Sequence, residues 1–166
     1  MIRILGPDDA EVYRALRLEA LERDPKAFGR SATDYRREPL ETIRSRFESP
    51  GATTLGAFLE GELVGMATLV RQSGEKERHK ANVFAVYVTE RARRQGISRA
   101  LLGGLLAHAR EVSGLEQVLI SVSVTQDAAQ ALYASLGFVV YGLEPRALKV
   151  DGEYVDEQHM VLMLRA

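Results

Sequence analysis

The run Asn82-Val83-Phe84-Ala85-Val86-Tyr87-Val88 constrains this chain more than any other segment. It is rich in β-branched and aromatic residues and is apolar at successive positions. Both of its faces must therefore be covered, which makes it a central strand with layers on either side. Just upstream, TTLGAFLEGELVGMATLV reads as two strands joined by a Glu60-Gly61 turn. Earlier still, the period changes to a helical one. Pro7, Asp8 and Asp9 suit a helix start, and Val12, Leu16, Leu18 and Leu21 carry the apolar spacing up to Pro25. Leu40, Ile43 and Phe47 predict a second helix ending near Pro50-Gly51, with residues 25–37 a loop or broken helix and Ile2–Leu5 a short strand.

Downstream of the central run, Ile97, Leu101, Leu105 and Val112 form the stripe of a helix closed by Gly114. Residues 117–124 alternate as a strand, and Ala128–Leu136 is a short helix capped by Gly137. Residues 138–143 and 155–164 are strands about an Asp151-Gly152 turn. The order β-α-α-β-β-β-α-β-α-β-β is a three-strand meander followed by two βα units. It predicts an α/β (α+β) fold with a mixed sheet flanked by helices, not a doubly wound parallel one.

At 166 residues the chain has the length of one domain, spanning 1–166. With 22 Lys and Arg against 23 Asp and Glu, its net charge of -1 argues against coating a nucleic acid. There is no cysteine, which excludes disulfides, thiolate metal sites and a cysteine nucleophile. No apolar run approaches the roughly 18 residues of a membrane span. The opening residues carry acids where a secretory signal would be apolar, so a cytoplasmic protein is expected.

Two segments carry chemistry. In VYVTERARRQGISRALL, residues 86–102, the buried strand passes through a short arginine-rich loop into a helix. Arg91, Arg93, Arg94 and Arg99 surround Gly96, against the single acid Glu90, giving a local charge of about +3. Helix N-termini present unpaired N–H groups and favour anions, and a glycine lets a ligand approach the backbone. A phosphate or pyrophosphate suits this loop, and so does plain solvent around an arginine run. In SVTQDAAQALYASLGFVV, residues 123–140, Gln126 offers an amide and Tyr133 a hydroxyl that can protonate a leaving group. An amphipathic helix with the Tyr133 ring in the core accounts for the same pattern.

Together the two segments resemble the GNAT superfamily of N-acetyltransferases. That family's coenzyme A signature, R/Q-x-x-G-x-G/A, is matched by Arg93-Arg94-Gln95-Gly96-Ile97-Ser98, with Ser98 replacing the final Gly or Ala. Its later motif, N-x-x-A-x-x-L-Y-x-x-x-G-F, reads here QDAAQALYASLGF, with Gln126 in the Asn position. The loop at Pro25, Ala27, Phe28 and Gly29 and the ending EPRALKVDGEYVDEQHM are also similar to bacterial members.

The resemblance implies a mostly antiparallel sheet of about seven strands with a splayed central pair. It implies acetyl-coenzyme A as co-substrate and no metal. The pyrophosphate would lie on Arg93, Arg94, Gln95, Gly96, Ile97, Ser98 and Arg99. The pantetheine arm would run along Val86, Tyr87 and Val88, near Gln126 and Ala129. Tyr133 would be the general acid on the sulfur, and a backbone N–H near Val86 or Val88 would face the oxyanion.

Without cysteine, direct attack by the acceptor amine is the simplest route. The central strand lacks the glutamate that many members use as base, which leaves His79, Glu157, His159 or a water held by Asn82. Phe28, Asn82 and Glu157 are the candidate acceptor-side residues. His79 reads as a surface group and His108 as a core histidine, and no histidine pair has metal-ligand spacing. Residues 144–159 carry a local charge of -3, suited to a cationic amine or to a solvated hairpin. The acceptor is expected to be a small-molecule or peptide amine, with no nucleic-acid or membrane partner. An exposed sheet edge near the C-terminus offers a route to a homodimer. The rivals are a non-catalytic acyl-coenzyme A sensor and a nucleic-acid binder.

Overall fold

A computed structural model describes residues 1–165 of the chain. Seven strands form one sheet in the order β1-β2-β3-β4-β5-β7-β6. They are β1 (Ile2–Ile4), β2 (Ala52–Leu59), β3 (Glu62–Arg71), β4 (Lys80–Val88), β5 (Gln117–Ser123), β6 (Val139–Val150) and β7 (Glu153–Met163). All neighbouring pairs are antiparallel except β4–β5. The helices are α1 (Ala10–Arg23), α2 (Ala32–Arg36), α3 (Leu40–Phe47), α4 (Ile97–Glu111) and α5 (Asp127–Ser135). No described helix is long and apolar enough to cross a membrane.

The expected elements are present, with adjusted ends. Residues 25–37 are indeed a broken helix: a 3-10 turn at Pro25–Ala27, then α2, whose first turn Ser31 caps by accepting from the Asp34 N–H. The fourth helix stops at Glu111, before Gly114, because Val112 turns to an extended conformation. The last two strands are longer than their apolar patterns, since they form a hairpin whose tip is the Asp151-Gly152 turn. His108 is half-buried, with Nε2 3.1 Å from the Thr53 hydroxyl, a satisfied structural histidine as expected.

The two faces of the sheet bury different helices. Leu101, Leu102, Leu105 and Leu106 of α4 and Tyr133 of α5 pack on Val64, Ala67, Leu69, Val118, Ile120 and Val122. Leu16 and Ala20 of α1 pack on Met66 and Tyr87. Met66 is the sequence neighbour of Ala67, and Tyr87 of the buried Val88, so the two sets point to opposite faces. The central run is thus covered on both sides, as its composition requires.

The sheet departs from regularity where the site lies. The parallel β4–β5 ladder holds only for Lys80↔Gln117, Ala81↔Val118 and Asn82↔Leu119. Beyond Asn82 the strands part. On its other edge, β4 carries a bulge: Phe84 pairs with Thr68 and Tyr87 with Met66, so Ala85 and Val86 stand against the single residue Ala67. Ala85 takes the left-handed conformation, φ 55°. A bulge bends its strand and increases local twist, which turns β4 away from β5.

The left-handed conformation costs a residue with a Cβ about 1–2 kcal/mol. Ala85→Gly should therefore leave the unfolding free energy unchanged or higher in urea denaturation. Ala81→Gly, in regular buried strand, should lower it by roughly 1 kcal/mol. An equal loss in both variants would contradict the bulge.

Candidate active site

Where β4 and β5 part, a cleft of about 730 Å³ opens across the sheet. Its floor is Asn82–Val88 on one side and Ile120–Ser123 on the other, with α5 residues Ala128, Ala129, Leu132 and Tyr133 along one wall. Arg17, Asp24, Phe28 and Arg30 of the α1–α2 segment form the opposite wall. Because β4 beyond Asn82 has no partner on this edge, its backbone groups there are open to a ligand.

A second recess of about 210 Å³ adjoins it at the start of α4, lined by Arg93, Arg94, Gly96, Ile97, Ser98 and Arg99. Gly96 is the N-cap of α4 in the left-handed conformation, φ 77°, and the space where a Cβ would stand is empty. Arg94 is also left-handed, φ 62°. Two left-handed residues so close together fold the loop tightly over the helix N-terminus, whose first N–H groups have no intrahelical acceptor. Backbone N–H groups at a helix start favour an anion, and arginines stand at the rim of this recess.

The arginines are not equivalent. Arg93 donates from Nε to the Val88 carbonyl at 2.9 Å and from Nη2 to Asp24 at 3.1 Å, and lies over the Tyr87 ring. It braces the end of β4. Arg99 donates to the Ser135 hydroxyl at 2.6 Å and ties α4 to α5. Arg94 forms no ion pair among the described residues and faces both recesses. Gln95 lines neither.

Tyr87 is committed as well. Its hydroxyl donates to Glu19 at 2.9 Å, and the Thr89 hydroxyl donates to the same carboxylate at 2.6 Å. Burial, reinforced by Glu19, pushes the Tyr87 pKa up to about 12. Glu19 thus pins the end of β4 to α1.

Tyr133 is only 6% exposed, yet it lines the cleft, and its hydroxyl has no hydrogen-bond partner among the described residues. Burial alone pushes its pKa up to about 12. The ring packs in the core beside Phe138, as the amphipathic-helix reading expects, and the hydroxyl is left without a protein partner at the cleft. Gln126 stands at the N-cap position of α5 without a side-chain capping bond and lines the same cleft.

On the α1 side of the sheet, β5 and β7 contribute a polar cluster. Ser121 and Ser123 stand opposite His159 and Glu157 in register. The Ser121 hydroxyl lies 2.8 Å from His159 Nδ1, and His159 Nε2 lies 3.0 Å from Glu144. Glu157 faces the cleft, and its pKa is raised, first by burial and then by Glu144, with His159 opposing. Asn82 accepts from the Gln72 side chain at 2.8 Å. His79 ends the charged turn, is half-buried rather than fully exposed, and lines neither recess. Among the described residues no cluster of His, Asp and Glu is arranged to hold a metal.

Of the residues singled out from sequence, Val86, Tyr87, Val88, Arg93, Arg94, Ser98, Gln126, Ala129, Tyr133, Phe28, Asn82 and Glu157 all line the large cleft. Gly96, Ile97 and Arg99 line the smaller recess. Sequence reasoning missed Arg17, Arg30 and Ser121. Nothing distinguishes these from ordinary surface residues until the strands and α1 are placed in space.

A family model described as the Acetyltransferase (GNAT) family matches residues 14–138. The chain is 26% identical to the L-amino acid N-acetyltransferase AaaT of Escherichia coli K12 over 113 residues, covering 68% of this chain and 69% of that protein. It is 35% identical to the N-alpha-acetyltransferase RimI of Mycobacterium tuberculosis over 114 residues, 69% of each. The structure of yncA from Salmonella typhimurium, a putative acetyltransferase with its cofactor acetyl-CoA, matches with a TM-score of 0.87 at 22% identity, over 100% of this chain and 94% of that one. That last likeness speaks for the fold. On the family match, the chain belongs to the acetyltransferase (GNAT) family and is an N-acetyltransferase.

Proposed function

We propose that the protein uses acetyl-coenzyme A to acetylate a primary amine of a small molecule or peptide by direct transfer within a ternary complex. The observation that carries this reading is the opening between β4 and β5, continuous with the anion-binding start of α4 and edged by an unpaired tyrosine hydroxyl. The chain fits the co-substrate: the empty space at the Gly96 Cβ position admits a pyrophosphate to the helix N–H groups, and the free edge of β4 suits an amide-bearing arm. The yncA structure, of the same fold, is described with acetyl-CoA as its cofactor.

When bound, acetyl-coenzyme A supplies an acetyl group activated as a thioester. The chain's own groups then have three tasks. Glu157 takes the proton from the acceptor ammonium; its raised pKa makes it a better base than an ordinary surface carboxylate. A backbone N–H at the bulge, near Val86, stabilises charge on the carbonyl oxygen. The Tyr133 hydroxyl, protonated at any physiological pH, donates a hydrogen bond and then its proton to the departing sulfur. A pKa near 12 makes tyrosine a weak acid, but the burial responsible also raises the pKa of a thiol formed beside it.

Thiol release from acetyl-coenzyme A with a panel of amines tests this directly. Turnover is expected with at least one amine. Tyr133→Phe should lower kcat on the order of 10²-fold with little change in KM, because the hydroxyl acts in the transition state. Its melting temperature should hold, since the lost hydroxyl has no protein partner. Binding of acetyl-coenzyme A without thiol release from any amine would select the acyl-coenzyme A sensor instead.

Glu157 must be ionised to act, so kcat/KM should fall as pH drops through its pKa, at a pH above the ordinary value of 4.5. Glu157→Gln should remove that acid limb and lower the neutral-pH rate by on the order of 10²-fold. An unchanged profile in the variant would pass the base role to another group.

A further inference from the structure

Arg17 lines the cleft from the middle of α1 and forms no ion pair among the described residues. Its Nη1 is buried without a hydrogen-bond partner. The acids of this wall are engaged elsewhere. Glu19 accepts from Tyr87 and Thr89, Asp24 pairs with Arg93, and Glu38 pairs with Arg30 and Arg46. What Arg17 does contact is the Phe28 ring, whose centroid lies 4.7 Å from its guanidinium carbon. A half-buried guanidinium left unpaired costs free energy that an arriving anion recovers.

The position of Arg17 along β4 separates this charge from the phosphate loop. Tyr13, one turn earlier on α1, reaches Thr68, which pairs with Phe84. Glu19, half a turn later, bonds Tyr87 and Thr89. Arg17 therefore stands opposite the bulged middle of β4, whereas Arg94, Gly96 and Ser98 lie beyond the strand's end. The same cleft holds Glu157. One cleft thus carries an unpaired cation from α1 and a carboxylate from β7, opposite charges suited to the two ends of one small zwitterion.

We propose that Arg17 anchors a carboxylate of the acceptor, so that the substrates are amino carboxylates whose amine is turned toward Glu157. The planar guanidinium offers a two-toothed grip on a carboxylate, and its stacking on Phe28 holds the fork in orientation. The amine half of this inference rests on the acetyl-transfer reading; the carboxylate half is a statement about binding and can be measured without turnover.

The test uses the full chain loaded with coenzyme A and titrated calorimetrically with L-phenylalanine, L-leucine and L-methionine, each beside its amide. The acids should bind roughly tenfold tighter than the amides, the size of one charge-assisted hydrogen bond. In Arg17→Met the preference should vanish, acid and amide becoming alike. Arg17→Gln, of similar polarity, should lose the same preference and serves if the Met variant does not fold. Acids that bind no better than amides, or a preference that survives both substitutions, would overturn the anchor. Failure of the acetyl-transfer reading is separately visible, as carboxylate-selective binding with no thiol release from acetyl-coenzyme A.

Discussion

The parallel pairing of β4 with β5 lasts for three residue pairs, and the rest of the site depends on its stopping there. A parallel ladder continued to Val88 would close the cleft and satisfy the β4 backbone internally. Instead the bulge at Ala85 and Val86 bends the strand, and Glu19 and Arg93 fasten its far end to α1 and to Asp24. Backbone donors and acceptors left open beside a buried floor need a partner. A ligand that presents amides along its length answers that need in the way another strand would.

Charge is distributed along this opening in an order that suits a sequence of chemical groups. At one end, the α4 N-terminus and Arg94 favour an anion. In the middle stands the neutral, partnerless hydroxyl of Tyr133. Across the sheet, Ser121, His159, Glu144 and Glu157 form a polar group on the α1 side. The Tyr133 ring packs with Met160 and Leu162 of β7 on the α4 face, whereas Glu157, of the opposite alternation on the same strand, points to the α1 face. In the function we propose, proton removal and proton delivery come from different sides of the floor.

Much of this layout was legible in the sequence, for local reasons. The doubly apolar run of β4, the Glu60-Gly61 turn and the glycines after α5 and at α4 each report a backbone requirement that neighbours in sequence satisfy. The arginine-glycine loop at the start of α4 and the Tyr133 helix were legible because their residues are contiguous in sequence. The bulge was not, since Ala85 gives no sign that it adopts a positive φ. Nor was the engagement of Arg93 and Tyr87, whose partners Asp24 and Glu19 lie 69 and 68 residues away. Arg17 looked like one more arginine on a polar helix, and only the placement of α1 over β4 makes it a wall of the cleft.

The central claim is that the open edge of β4 receives the acetyl-coenzyme A arm as a strand would be received. Amide hydrogen exchange with and without acetyl-coenzyme A addresses it most directly. Protection should rise together at residues 84–88 and 96–99, while β1 and β2 stay unchanged. Protection at the start of α4 with none along residues 84–88 would contradict the account, leaving an anion site with no strand-like arm beside it.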